Sequence, residues 1–186
     1  MERHVMAGFE LGIWNAWLMT IPFLVIMICM VGRRKNVAKR MSDMRGYTAG
    51  ENAVTVVASL APYPFMVATL WAPLTANLLL LSIGTMFYLI GLYLLVASLS
   101  VVIKTPSDEP FTAGPYRFSR NPIYVSATIV FMGICLATSN LIFAAYLVIA
   151  VLLQHFMILA EERVCKEKYG LAFESYMQRV PRYVLV

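Results

Sequence analysis

Two clusters in this 186-residue chain bring together side chains able to hold and orient a charged small molecule. The first is Tyr116, Arg120, Asn121, Pro122 and Tyr124. Asn121 is a good helix N-cap and Pro122 suits the first helical position, so a helix should start here. Its free N–H groups and dipole would attract an anion such as a carboxylate. Arg120 sits beside that end and can grip a carboxylate or phosphate with two parallel hydrogen bonds. Tyr124 lies one turn further in. Taken alone, the same residues also read as a membrane-interface helix cap with an aromatic belt. The second cluster is Glu161-Glu162, followed by Arg163, Cys165, Lys168, Tyr169 and Gly170. Adjacent carboxylates at the end of an apolar helix are costly near a bilayer, where ionisable groups are functional or paired. Arg163 and Lys166 stand close enough along a helix to be such partners. His155 lies inside an apolar run beside Gln154. It reads as a hydrogen-bonded packing residue or as part of a site lining.

The elements that must position these residues are membrane helices. The chain is 60% apolar and only 13% charged, against about 25% charged in soluble domains. Apolar runs cover residues 11–31, 52–71, 77–103, 122–138 and 141–160. A length of about 20 residues crosses the hydrocarbon core. Pro62 and Pro64 should kink or break the second run. Residues 104–120 are a turn-rich polar loop, and residues 161–183 form a polar C-terminal segment. The fold class is therefore all-α: one polytopic domain of about five membrane helices and a C-terminal helix. Only Ser139-Asn140 separates the last two runs, so they should form an antiparallel hairpin that brings Asn121 and Glu161 together. Gly84 and Gly91, seven residues apart, mark a face for close helix packing.

The net charge of +5 matters by its distribution. With residues 32–50 in the cytoplasm, every Lys and Arg but Arg3 falls on that side, giving an N-terminus outside and a C-terminus inside. The basic loop reads as an orientation signal near anionic headgroups, or as a grip on an anionic lipid substrate. Residues 1–10 do not form a signal peptide, and the first run should be retained. Cys29, Cys135 and Cys165 follow no metal-ligand spacing and read as packing residues, so no metal is expected. No dinucleotide fingerprint, phosphate loop or nucleophile elbow is present. No nucleic-acid partner is expected, and the oligomeric state is not readable.

The two clusters also carry a resemblance. Gly114-Pro115-Tyr116-Arg117-Phe118-Ser119-Arg120-Asn121-Pro122-Ile123-Tyr124, a hairpin, Glu161-Glu162, Tyr169-Gly170, Tyr176 and Val180-Pro181-Arg182-Tyr183 are similar to the integral membrane methyltransferases. That superfamily includes isoprenylcysteine carboxyl methyltransferases and phospholipid N-methyltransferases. The resemblance covers roughly the last 75 residues. It implies S-adenosyl-L-methionine (SAM) as methyl donor and a lipophilic or lipidated acceptor arriving from the membrane. It implies a cofactor site of Tyr116, Arg120, Asn121, Pro122 and Tyr124, joined by Glu161 and Glu162; His155, as the embedded histidine, is a further candidate for that lining, and Arg120 and Glu162 are the candidates for catalytic roles. Glu161 and Glu162 would touch the cofactor or orient Arg120. Asn121 departs from the His of many members, so no proton transfer goes to it, and Ser126 stands where a Gly is common. A nicotinamide-dependent membrane reductase and a non-enzymatic membrane protein are the alternatives.

Overall fold

The computed structural model describes residues 12–184, and the expectations that rest on residues 1–11 lie outside them. The described residues form helices joined by short links. Helix α1 (Trp17–Met27) widens into a π-helical turn, Ile28–Gly32. The chain then bends by 102° into α2 (Lys35–Met41). Arg34 folds its guanidinium back onto the carbonyls of Cys29 and Met30, at 2.9 and 3.2 Å, and so caps the orphan C-terminal carbonyls. The first span thus ends in a short basic helix, where sequence alone suggested only a loop.

The second run breaks where its prolines demand. Helix α3 (Ala49–Leu60) starts with a capping box between Thr48 and Glu51 and yields to α4 (Pro62–Ala68) at Ala61. The Tyr146 hydroxyl donates to the Ala61 carbonyl at 2.7 Å, bracing the break from outside. Helix α5 (Leu78–Lys104) is unbroken, with Asn77 as its N-cap. Helix α6 (Pro122–Thr138) matches the expected run. Helix α7 (Leu141–Tyr169) overruns its apolar stretch by nine residues, so Glu161 and Glu162 lie within a helix and not in a following segment. At 29 residues it is about 43 Å long, more than a hydrocarbon core, so its charged end reaches the interface. After Gly170, which takes a positive φ of 54°, comes α8 (Leu171–Arg179).

Among the described residues, three helices are long and apolar enough to cross a membrane: Ala49–Trp71, Leu78–Lys104 and Leu141–Tyr169. Counting the bent first pair gives up to four. The five spans expected from sequence are not reached by this measure, because α6 has 17 residues. The hairpin of α6 and α7 also pairs differently from expectation. Asn140 caps α7 directly after the turn, but α6 packs mainly along α5, and α7 along α3. Glycine explains the first pairing. A Cβ on Gly84 would lie 2.6 Å from the Ala137 nitrogen, and one on Gly133 would lie 2.6 Å from the Tyr88 nitrogen. The two backbones touch where no side chain intervenes, as the small-residue face in the sequence suggested. Phe23, Phe65, Leu95, Leu99, Val130, Phe131 and Ile134 fill the core around this contact.

Candidate functional site

The Gly114-to-Tyr124 cluster and the Glu161-Glu162 pair meet at the charged end of the bundle. Glu162 is buried and receives donors from three side chains. Arg120 donates from Nε to Oε1 at 3.0 Å and from Nη2 to Oε2 at 3.2 Å. Asn121 Nδ2 donates to Oε1 at 2.8 Å, and Arg182 Nε to Oε2 at 2.9 Å. Arg120 spends its remaining Nη1 on the carbonyls of Met177 and Val180, at 3.0 and 2.7 Å. Its backbone N–H donates to the Pro181 carbonyl, and Ser119 Oγ to the Arg182 carbonyl, both at 2.9 Å. The segment 180–183 is thereby strapped across the start of α6. Asn121 does stand at the helix N-cap position, but its side chain makes no cap hydrogen bond there; its Nδ2 donates to Glu162 and to the Arg182 carbonyl.

Glu161 lives differently. Its Oε2 accepts from the Tyr124 hydroxyl at 2.7 Å, and it lines two adjoining cavities. The smaller, about 90 Å³, is bordered by Tyr116, Arg120, Asn121, Tyr124 and Glu162. The larger, about 940 Å³, sits at the upper end of the roughly 300–1,000 Å³ of ordinary ligand sites. Its mouth is polar, with Arg40, Tyr47, Glu161 and Lys168, and its body is apolar, reaching Phe65, Phe131 and Tyr146. Tyr124, Glu161, Arg40, Phe111, Cys165 and Tyr169 border both cavities.

Neither Pro122 nor His155 lines either cavity. Pro122 is buried at the first position of α6. His155 shares a 2.8 Å hydrogen bond with the Tyr183 hydroxyl and pins the strap's end, the packing role that its place in the sequence suggested. Tyr116 is buried, and burial first, then the Glu161 charge, pushes its hydroxyl well above the tyrosine range. It is therefore a neutral hydrogen-bonding group. Its carbonyl accepts from Tyr176 at 2.6 Å.

Several residues at the site do something other than the sequence reading gave them; Arg163, read as a partner of the adjacent glutamates, pairs instead with Glu51 and Glu167. Arg40 belonged to a loop read for its charge alone. It donates to the carbonyls of Thr105 and Glu109, at 2.9 and 2.8 Å, and stacks 4.1 Å over the Phe111 ring. Arg163 holds Glu51 at 2.6 Å and the Gly46 carbonyl at 2.8 Å, fixing the loop before α3 against α7. In that loop, hydrogen bonds from Arg45 pull the Asp43 carboxyl down to about 2. The sequence signal for Arg40 was only a basic residue near a membrane end, which does not separate a clamp from an orientation charge, and helical spacing alone could not show that Arg163 reaches across to Glu51. Arg182 stood in the quoted C-terminal motif, yet nothing in one dimension tied it to Glu162.

This is an all-helical, multi-pass membrane protein whose polar residues converge at one end beside an apolar cavity. Residues 74–172 match the family described as Phospholipid methyltransferase, and the chain belongs to that family. The match spans α5 to α7, so it takes in the long α5 as well as both clusters. No curated protein and no solved structure matches the chain. Membership makes the chain a membrane methyltransferase with a lipid-related substrate.

Proposed function

We propose that the chain transfers a methyl group from SAM to a lipophilic acceptor, an isoprenylcysteine carboxylate or a phospholipid amine, at the cytoplasmic face. The observation that carries this reading is the continuity of the 940 Å³ cavity, from the Tyr124–Glu161 pair into an apolar interior at membrane depth. A polar, ionic donor and a greasy acceptor would each find a matching surface there.

The residues present fit such a donor. SAM supplies, when bound, a sulfonium whose methyl is open to in-line displacement. Cationic sulfur and ammonium groups favour carboxylates and aromatic faces, and Glu161, Tyr47, Phe111 and Tyr169 border the cavity mouth. Tyr124 fixes Glu161 by donating to one of its oxygens and leaves the other for a ligand cation. The apolar walls exclude water from the reacting groups. An acceptor carboxylate needs no base. An acceptor amine must lose a proton, and Glu161 is the carboxylate placed to take it, since Glu162 is filled by Arg120, Asn121 and Arg182. Of the roles that the resemblance implied, Glu162 thus takes the orienting one: it holds Arg120, and both position the strap.

The test is calorimetric titration of the detergent-purified protein with SAM. Binding is expected, and Glu161→Gln should weaken it by roughly tenfold, the worth of one charge-assisted contact. An absence of binding, or a titration untouched by Glu161→Gln, would sink the reading.

A further inference from the structure

The larger cavity runs from its polar mouth down the side of α7. From Glu161 to Tyr146, every third or fourth residue of α7 lines it, a depth of about 22 Å at 1.5 Å per residue. There it ends on an aromatic cluster drawn from four helices. The Phe65 and Phe131 ring centroids lie 4.9 Å apart, Phe23 and Phe131 5.4 Å, and Phe65 and Tyr146 6.0 Å. Phe23, Phe65 and Phe131 are each under a tenth exposed, so the rings form a floor and not a swinging gate. Above the floor the wall carries small residues, Ala127 on α6 and Ala150 on α7. A cavity with a polar mouth, apolar walls and packed aromatic rings at its far end suits a hydrocarbon tail whose headgroup stays beside Glu161.

We propose that Phe65 and Phe131 set the length of hydrocarbon chain that the acceptor can carry, and that Ala127 and Ala150 keep the well wide enough for it. This rests on the proposed function, because it takes the well's occupant to be the acceptor's tail. Aromatic rings packed on one another do not yield as lipid does, so a chain longer than the well must buckle or leave its headgroup short of Glu161. Each methylene in such a pocket is worth roughly tenfold or more in discrimination.

The experiment uses single-chain phosphatidylethanolamines of graded length, offered in detergent to the full protein. Binding is read by native mass spectrometry, and transfer by label from radioactive SAM. Affinity should rise with chain length to a limit and then fall. Phe131→Leu should move that limit to longer chains, and Ala150→Phe should move it to shorter ones by filling the well. The second variant keeps the test open if the first fails to fold. A length profile that is flat, or that neither variant moves, overturns the inference. A shifted profile without SAM binding overturns the proposed function and leaves the gauge standing as a lipid-binding property. Label transferred at equal rates to all lengths does the reverse.

Discussion

Glu162 accepts from Arg120, Asn121 and Arg182, and its side chain is 6% exposed beside an Arg120 at 9%. Removing one partner of such a buried pair strands the other's charge, at a cost of about 3–5 kcal/mol. Glu162→Ala should therefore lower the unfolding midpoint steeply and loosen segment 180–183 to protease. Glu161→Gln should leave the midpoint near wild type, because Tyr124 is what holds it and an amide oxygen can still accept from that hydroxyl. Equal loss of stability in both variants would contradict this division. Thr55 supplies a separate test. Among the described residues its Oγ1 is the one buried side-chain nitrogen or oxygen without a hydrogen-bond partner. Other buried helix hydroxyls, such as those of Ser98, Ser126 and Thr138, bond back to their own helix. Thr55→Val should raise stability by about 1 kcal/mol in thermal unfolding, since it deletes an unmet polar group at constant shape. That two glutamates stood at the site was legible in the sequence. Which one opens to the larger cavity was not, because neighbours on a helix point about 100° apart and the phase is set by packing.

Helix α5 and helix α6 form the closest pair of elements, and the pairing rests on Gly84, Gly91 and Gly133. At Gly91 a Cβ would meet the Val130 nitrogen at 2.7 Å, and at Gly133 the Gly84 carbonyl oxygen at 2.7 Å. Backbone cannot swing aside as a long side chain can, so Gly133→Ala should push the helices apart. Overpacking of this kind costs about 1–3 kcal/mol. The same change at Gly50, where nothing lies within 4 Å, should cost little, and comparing the two in one unfolding assay isolates packing from helix propensity. The starts and stops of α5 and α6 were nearly all readable, because Asn77, Pro122 and the Ser139-Asn140 turn punctuate the apolar runs. Their partners were harder to read. A two-residue turn makes α6 and α7 neighbours in sequence, but side chains at the contact decide how closely helices lie, and those on α5 and α6 are absent. The end of α7 at Gly170 was readable from that glycine, while polarity marks only where lipid stops.

Across the whole molecule, charge is sorted to one end. The basic residues of α2 and its flanks, Lys104, the 114–120 loop, the last turns of α7, and α8 are tied to one another there by Arg40, Arg120, Arg163, Lys168 and Arg182. Among the described residues the opposite end is closed without charge. Ala16 donates to the Ala72 carbonyl and Thr75 to that of Ala137, both at 2.8 Å, and Asn77 and Asn140 cap their helices. Short loops with Lys and Arg stay in the cytoplasm because moving them across the bilayer is resisted. That rule predicts a bundle with its cavity mouth facing the cytosol, where a soluble donor would arrive. The orientation is open to direct measurement on two exposed positions, Ser107 at the charged end and Ala76 at the other. With Cys29, Cys135 and Cys165 replaced by serine, a membrane-impermeant maleimide added to intact cells should label Ala76→Cys and spare Ser107→Cys. Permeabilising the cells should then expose Ser107→Cys. Labelling in the opposite order would turn the bundle over, put the Glu161 mouth outside the cell, and leave a cytosolic methyl donor no route to it.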